Sequence, residues 1–153
     1  AFEPQYDPAA GVERLKCGTP PILSLAALAG ALKLFEGVSL AALREKSLAL
    51  TTALMDEVAA RPALKDFQCL TPRNRKRRGS QVAFAHPEAY ALIQALQDDG
   101  VIRDFRAPNI LRFGVSPAVL RFVDVFDAVE CLETTVRSGR HRAARYQTTK
   151  EVT

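Results

Sequence analysis

The hydrophobic pattern of this 153-residue chain changes at Arg61-Pro62, and that change constrains the fold more than any other feature. Before it, apolar residues recur at the spacing of helices, which predicts one helix over residues 22–35 and a second, capped by Ser39, that runs to residue 60. After it, short apolar runs alternate with turn residues, which is typical of a layered domain. A proline at this position stops the long helix, so the two regions differ in secondary structure.

The region after Arg61-Pro62 predicts two pairs of strands separated by a helix. The expected strands span residues 67–70, 81–84, 101–104 and 110–114, and the expected helices span 87–97 and 124–137. Two helices followed by a β-β-α-β-β-α order predict an α+β fold, with a small, mostly antiparallel sheet and helices packed on one face. We divide the chain into an irregular segment at 1–21, a small α+β domain at 22–137 and a basic, loosely ordered tail at 138–153.

The segment 22–35 is apolar on nearly all sides and rich in alanine, which favours a core helix buried between other elements. Thr19 stands before two prolines at its start, where a threonine hydroxyl is typical of a helix cap. Fourteen residues with Lys33 among them are too few to cross a membrane. We therefore expect no membrane partner.

The net charge and the cysteine content limit the classes of protein to which this chain can belong. The net charge is +4, and the basic residues concentrate in two clusters, 73–78 and 137–145. Neither cluster has interleaved aromatic residues on which bases could stack, so we favour a solvated loop and a tail over a nucleic-acid site. The three cysteines are far apart in sequence, which predicts reduced thiols in a cytoplasmic protein.

The sequence lacks the usual signatures of a self-sufficient active site. It contains no glycine-rich nucleotide motif, no metalloprotease motif and no serine-hydrolase motif. We interpret His86 as a surface residue or one at a helix start, His141 as a tail residue and Asp98-Asp99 as a solvated helix end. A metal or nucleophilic site needs several converging groups, so we predict no catalytic residue and no metal ligand within these 153 residues.

Two local features are candidate binding sites. Gly18-Thr19 precedes a helix, where a hydroxyl and free N–H groups either bind a phosphate or form a simple cap. Arg112 stands in the apolar segment 110–113, where a half-buried guanidinium needs an anionic partner. That partner is either a ligand carboxylate or a structural ion pair with Asp104 or Asp124. The residues alone leave both alternatives open.

Five segments together resemble the C-terminal region of kynureninases, in the order and spacing of the bacterial branch. They are 6–11 with 17–21, 43–48, 78–80, 100–108, and 111–114 with 122–125. The resemblance implies the small domain of an enzyme of the aspartate-aminotransferase fold type, a homodimer that uses pyridoxal 5'-phosphate. It also implies hydrolysis of L-kynurenine to anthranilate and L-alanine, or the same reaction of 3-hydroxykynurenine.

The same resemblance implies roles for individual residues. Arg112 falls on the arginine that pairs with the α-carboxylate of the substrate. Thr19 falls on a residue near the cofactor phosphate, reached across the subunit interface, and Gly18 falls on a neighbouring substrate-pocket position. Arg106 is expected to support the turn between Asp104 and Arg112 rather than to contact substrate.

The chain departs from the family in what it lacks. None of its lysines stands in the family's Tyr-Lys cofactor context, and it has no tryptophan. The large cofactor-binding domain, which precedes this region in the family, is absent, so we expect the 153 residues alone to be inactive. Two alternatives remain: a stand-alone binding or dimerisation module without catalysis, and a nucleic-acid-binding domain that uses the 73–78 loop.

Overall fold

A computed structural model describes residues 5–148. The chain divides into two compact units, with the boundary between Val38 and Ser39. The first unit contains a 3-10 turn at Gly11–Leu15, helix α1 at Ile22–Leu32 and a 3-10 turn at Lys33–Phe35. The second contains α2 (Leu40–Ala60), β1 (Gln68–Cys69), β2 (Gln81–Ala85), α3 (Ala89–Asp98), β3 (Asp104–Arg106), β4 (Ile110–Gly114), α4 (Phe122–Ser138) and α5 (Ala144–Gln147).

The second unit is an α+β domain, as predicted. Its strands form one antiparallel sheet in the order β1-β2-β4-β3. Alternate side chains of the two central strands enter the core: Val82 and Phe84 from β2, Leu111 and Phe113 from β4. These residues are buried with apolar side chains of α2, α3 and α4 in one cluster. Because side chains alternate across a strand, one face of the sheet carries the helices and the other carries the polar positions.

The long helix α2 has the limits that the sequence predicts. Its cap is Ser39, whose hydroxyl accepts a hydrogen bond from the N–H of Ala42 at 3.4 Å. Its last helical residue is Ala60, just before Arg61-Pro62. Leu50 and Leu54 lie on its buried face, which turns towards the core. A hydroxyl cap at one end and a proline at the other leave little freedom in where this helix begins and ends.

The third strand differs from the prediction. The expected strand at 101–104 is wrong, because the chain pairs with β4 only from Asp104 to Arg106. Val101 instead donates its N–H to the carbonyl of Leu96 and so belongs to the end of α3. A run of apolar residues after a helix resembles a strand in sequence, but here the helix end takes the backbone hydrogen bonds.

Helix α1 corrects a second expectation. The sequence predicts a buried core helix at 22–35, and a helix does form at Ile22–Leu32, but none of its residues is buried. An apolar helix is buried only where other elements cover it, and the short turns on either side of α1 in its own unit do not. Leu23, for example, is 87% exposed.

The prediction of a loosely ordered tail is wrong for residues 139–148, and residues 149–153 lie outside the described residues. Gly139 ends α4 in the left-handed conformation that favours glycine, with φ 67°. A 3-10 turn at Arg140–Arg142 and α5 follow, and they bury His141 and Tyr146. His141 is therefore a core residue, not a tail residue.

Ion pairs connect this segment to the two ends of α3. The four arginines of the 137–145 cluster each meet a carboxylate: Arg137 with Glu133, Arg140 with Asp99, Arg142 with Glu88 and Arg145 with Asp98. Asp98 also accepts a hydrogen bond from the Tyr146 hydroxyl at 2.6 Å. The two aspartates at the end of α3 are thus partners of the C-terminal segment rather than a merely solvated helix end.

His86 does stand at the start of a helix, but it is not a surface residue. It is 8% exposed and stacks on Phe67 with ring centroids 4.4 Å apart. Its Nδ1 accepts a hydrogen bond from the N–H of Glu88. Burial lowers the pKa of His86 below its usual value, because a charged imidazole would lose solvation there.

The cysteines are free thiols, as predicted. Within residues 5–148 no single helix is long and apolar enough to cross a membrane; only the segments 22–35 and 40–60 taken together reach that length and hydropathy.

Glu88 connects the C-terminal segment to the start of α3. Its two carboxylate oxygens accept hydrogen bonds from Nε and Nη2 of Arg142, each at 3.0 Å. Oε2 also lies 3.3 Å from Nε2 of His141. The bonds from Arg142, followed by that from His141, lower the pKa of Glu88 to about 2.

Acid should therefore weaken this connection. A carboxyl whose pKa is lower in the folded than in the unfolded chain stabilises fully above its unfolded pKa, here about 4.5, and loses that contribution as the pH falls towards 2. Because Glu88 is one-third exposed, we expect the loss to be about 1 kcal/mol of unfolding free energy. Urea unfolding between about pH 6 and pH 2 should show this extra loss in the natural chain and not in Glu88→Gln.

The matched control is Glu130→Gln on the exposed side of α4, which should keep the pH dependence of the natural chain. Parallel pH profiles for Glu88→Gln and the natural chain would contradict the prediction.

Candidate functional site

Arg112 lies in the middle of β4, on the sheet face opposite to the core. Its neighbours along the strand, Leu111 and Phe113, both turn inward and are buried. The apolar residues that flank Arg112 in the sequence are therefore core residues of its own strand and do not surround the guanidinium. The side chain of Arg112 is 26% exposed.

The two neighbouring strands determine what stands beside Arg112. Asp104 of β3 is its partner on one side, and Ala83 of β2 is its partner on the other. Directly opposite residues of an antiparallel pair have their side chains on the same face, close enough to interact. Asp104 therefore meets the guanidinium, and Ala83 adds only a methyl group next to it.

One carboxylate serves two guanidiniums at this edge of the sheet. Oδ2 of Asp104 forms an ion pair with Nη2 of Arg112 and lies 3.3 Å from Nε of Arg106. Arg106 thus contacts the same carboxylate as Arg112, and its supporting role stays a prediction. Of the two carboxylates considered as structural partners for Arg112, Asp104 is the one in contact, whereas Asp124 pairs with Arg121 at 2.7 Å.

The ion pair leaves part of Arg112 without a partner. Its Nε is buried and has no hydrogen-bond acceptor among the described residues. A buried N–H without an acceptor costs free energy, and a guanidinium offers five donors in a fixed fork. Two guanidiniums and one carboxylate also leave a net positive charge. The partly exposed side chain of Arg112 and this net positive charge suit the group of three residues to hold one further anion, such as a carboxylate.

Gly18 and Thr19 belong to the first unit. Gly18 has φ 150°, a backbone conformation that side-chain-bearing residues rarely adopt, so the chain needs glycine there for its path. Thr19 does not cap α1: the helix begins at Ile22, its cap position is Pro21, and no side chain makes the capping hydrogen bond. With helix onset at Ile22, Thr19 lies two residues before the position from which a hydroxyl reaches the first turn.

The expectation of a simple cap at Thr19 is therefore wrong, and its hydroxyl is exposed at an uncapped helix start. The first N–H groups of a helix have no acceptor within the helix. The phosphate-binding interpretation of Gly18-Thr19 stays a prediction.

The basic loop at 73–78 is held against α2. Arg73 pairs with Asp56, and Arg75 pairs with Glu45 at 2.6 Å. Arg78 is 8% exposed and donates hydrogen bonds to the Thr51 hydroxyl and to the carbonyl of Leu48, both at 3.3 Å. The loop lies between β1 and β2 as predicted, but it is not simply solvated. Its partners stand 17 to 31 residues earlier in the chain, so no local pattern could indicate them.

A surface groove of about 680 Å³ lies between the end of β4 and α4. Its lining is mainly apolar, including Phe113, Val115 and Val125, with Asp124 and Asp127 among its polar members. Arg112, Gly18 and Thr19 are not among its lining residues, so this groove is separate from the candidate residues. Within residues 5–148 no three His, Cys, Asp or Glu side chains are placed to hold a metal ion.

Comparison with known proteins agrees with the sequence segments quoted above. A family model described as "Kynureninase C-terminal domain" matches residues 43–132, which include β3, β4 and Arg112. Kynureninase of Pseudomonas fluorescens is 44% identical over all 153 residues. Kynureninases of Burkholderia mallei (strain SAVP1) and Burkholderia pseudomallei (strain K96243) are 43% identical over the same length.

The match covers the whole of this chain but only 37% of the length of each of these relatives. The family model alone spans more than half of the 153 residues. The α+β fold, the segments quoted from the sequence and the family model agree. This chain belongs to the kynureninase C-terminal domain family.

Proposed function

We propose that the parent protein is a pyridoxal 5'-phosphate-dependent kynureninase, which hydrolyses L-kynurenine to anthranilate and L-alanine, or 3-hydroxykynurenine in the same way. Family membership and the relatives named kynureninase support this proposal. The observation that carries it within the chain is Arg112, which lies in the matched span, has a partly exposed side chain and shares its carboxylate partner Asp104 with Arg106. A cytoplasmic location is part of the same proposal.

Arg112 is the residue that binds the α-carboxylate of the substrate. A guanidinium and a carboxylate make two parallel, charge-assisted hydrogen bonds, which fix both distance and angle. Asp104 holds one side of the guanidinium through Nη2, and the inward-facing Leu111 and Phe113 anchor its strand in the core. When Arg112 holds the substrate carboxylate rigidly, the bonds at the α-carbon of the substrate have fewer possible orientations. Arg112 therefore contributes to catalysis by positioning the substrate.

The residues near the start of α1 fit the phosphate end of the cofactor. The exposed hydroxyl of Thr19 and the uncapped N–H groups at the helix start are the donor types that bind phosphate. Gly18, whose φ of 150° lets the chain turn beside Thr19, is proposed to line the neighbouring substrate pocket. When bound, pyridoxal 5'-phosphate supplies an electron sink for carbon–carbon bond cleavage, and these residues contribute to holding it.

The rest of the active site belongs to the part of the parent protein outside these 153 residues. That part supplies the lysine that holds the cofactor covalently and the aromatic residue that stacks on its ring, and in the homodimer Thr19 serves the cofactor of the other subunit. We propose that the 153-residue chain alone does not hydrolyse kynurenine.

The location of the lysine can be tested chemically. The 153-residue chain and the parent protein are mixed with pyridoxal 5'-phosphate, reduced with borohydride and mapped by peptide mass spectrometry. We expect one stoichiometrically modified lysine in the parent, outside these residues, and only scattered partial modification in the short chain. Full modification of one lysine of the short chain would show instead that it carries its own cofactor site.

Replacement of Arg112 tests the carboxylate assignment. In the parent enzyme, Arg112→Lys should lower kcat/KM for L-kynurenine by about 100-fold, because lysine keeps the charge but loses the bidentate geometry. Cofactor absorbance should stay unchanged, since Arg112 does not hold the cofactor.

Arg106→Lys is the matched control, because Arg106 meets the same carboxylate but is 62% exposed. We expect it to change kcat/KM by less than about threefold. If Arg112 is only a structural partner of Asp104, both variants should retain full turnover, and the assignment of Arg112 to the substrate carboxylate would be wrong.

A further inference from the structure

Helix α1 is apolar on every side and exposed on every side. Its eleven residues contain no charged group, and the nearest charged residues in the sequence are Lys16 and Lys33. Its large side chains are each at least 48% exposed: Ile22, Leu23, Leu25, Leu28 and Leu32. At 100° per residue these five are spread around the helix, and between them stand alanines, Gly30 and a single serine. A helix that is hydrophobic all round is an interior helix of a larger body.

We propose that α1 is an interior docking helix, which packs into the part of the parent polypeptide that lies outside these 153 residues. The inference rests on the proposed function only in that the parent is taken to be the longer protein of this family. The relatives align with this chain through all 153 residues, yet the chain spans 37% of their length. In those relatives the segment matching α1 therefore belongs to a much longer polypeptide, which can cover it.

Two other occupants fit the helix less well. A contact with a second copy of this chain about a two-fold axis would use the same patch on each copy and cover one side of α1, leaving the opposite leucines in water. A lipid bilayer requires about 30 Å of apolar helix, whereas eleven residues extend about 16 Å. Burial on all sides within one folded body is the arrangement that matches both the length and the all-round apolar surface.

The small residues of α1 give a steric reason for the same proposal. Ala26, Ala29 and Gly30 follow one another along one side of the helix, where another backbone can approach closely. The charged residues return at Lys33 and Glu36, so the stretch suited to burial ends where the helix itself ends. The length, the composition and the end points of α1 therefore all suit a helix that is packed inside a folded body.

Hydrogen exchange tests the proposal directly. The amides of residues 24–32 are compared in the parent enzyme and in the 153-residue chain by mass spectrometry. An uncovered helix of eleven residues is marginal in water, so these amides should exchange rapidly in the short chain. In the parent they should exchange at least about 100-fold more slowly. Equal exchange rates in the two proteins would overturn the proposal.

Three further measurements keep the result specific. In the parent, Leu25→Asp with Leu28→Asp should restore rapid exchange at residues 24–32 or abolish soluble protein. The control Ile102→Asp, at a position 91% exposed in the second unit, should do neither. Slow exchange in the short chain that appears only at high protein concentration, or only with phosphatidylcholine vesicles, would assign α1 to a second copy or to lipid and overturn the proposal.

Kynurenine hydrolysis is measured on the same parent sample. Protected α1 amides without hydrolysis would uphold the docking helix and reject the proposed function. Hydrolysis with unprotected α1 amides would reject the docking helix alone.

Discussion

The pairing of β4 with both of its neighbours is the constraint on which the rest of the domain depends. This strand is interior to the sheet, with β2 on one side and β3 on the other. Its alternation puts Leu111 and Phe113 into the core and Arg112 on the opposite face, next to Asp104. A shift of register by one residue would bury the guanidinium and expose the core residues. The hydrophobic core therefore fixes the position of the residue proposed to bind substrate.

The same sheet edge shows how an ion pair and a binding site can coexist. The sequence posed these as alternatives for Arg112, and the structure supplies the structural partner, Asp104. Yet that partner is shared with Arg106, and the buried Nε of Arg112 has no acceptor among the described residues. A carboxylate that two guanidiniums share leaves a net positive charge, and the exposed part of Arg112 can present that charge to a ligand. We therefore regard Asp104 as a positioning residue for Arg112 rather than as evidence against a ligand.

Much of the fold follows from local sequence. The Ser39 cap and the Arg61-Pro62 stop define α2, and the alternation in β2 and β4 defines the two central strands. The parts of the fold that could not be predicted depend on contacts with residues that are distant in the sequence. The C-terminal segment looks like a solvated tail until its arginines meet Asp98, Asp99 and Glu88, which stand 41 to 54 residues earlier in the chain. Arg78 likewise looks like one member of a basic run, but it donates hydrogen bonds to Thr51 and Leu48 of α2.

The candidate site was predictable only in part for a related reason. Arg112 stood out from the sequence because a charge between core residues needs an explanation, and the family resemblance then gave its role. Thr19 looked like a cap because two prolines followed it, but the helix begins only after them. The sequence could not predict that α1 is exposed. An apolar helix is predicted to be buried whether the residues that pack on it lie within these 153 residues or outside them.

The central claim is that Arg112 binds the carboxylate of a kynurenine-like amino acid. The most direct measurement is the dissociation constant of L-kynurenine and of its decarboxylated analogue for the parent enzyme, taken from the rapid binding phase that precedes hydrolysis, with Arg112 and with Arg112→Met. In the natural enzyme, loss of the carboxylate should weaken binding by about 100-fold. In the variant the two ligands should bind within a few-fold of each other, because the only interaction that distinguishes them has been removed. An unchanged preference for L-kynurenine in the Arg112→Met enzyme would contradict the account.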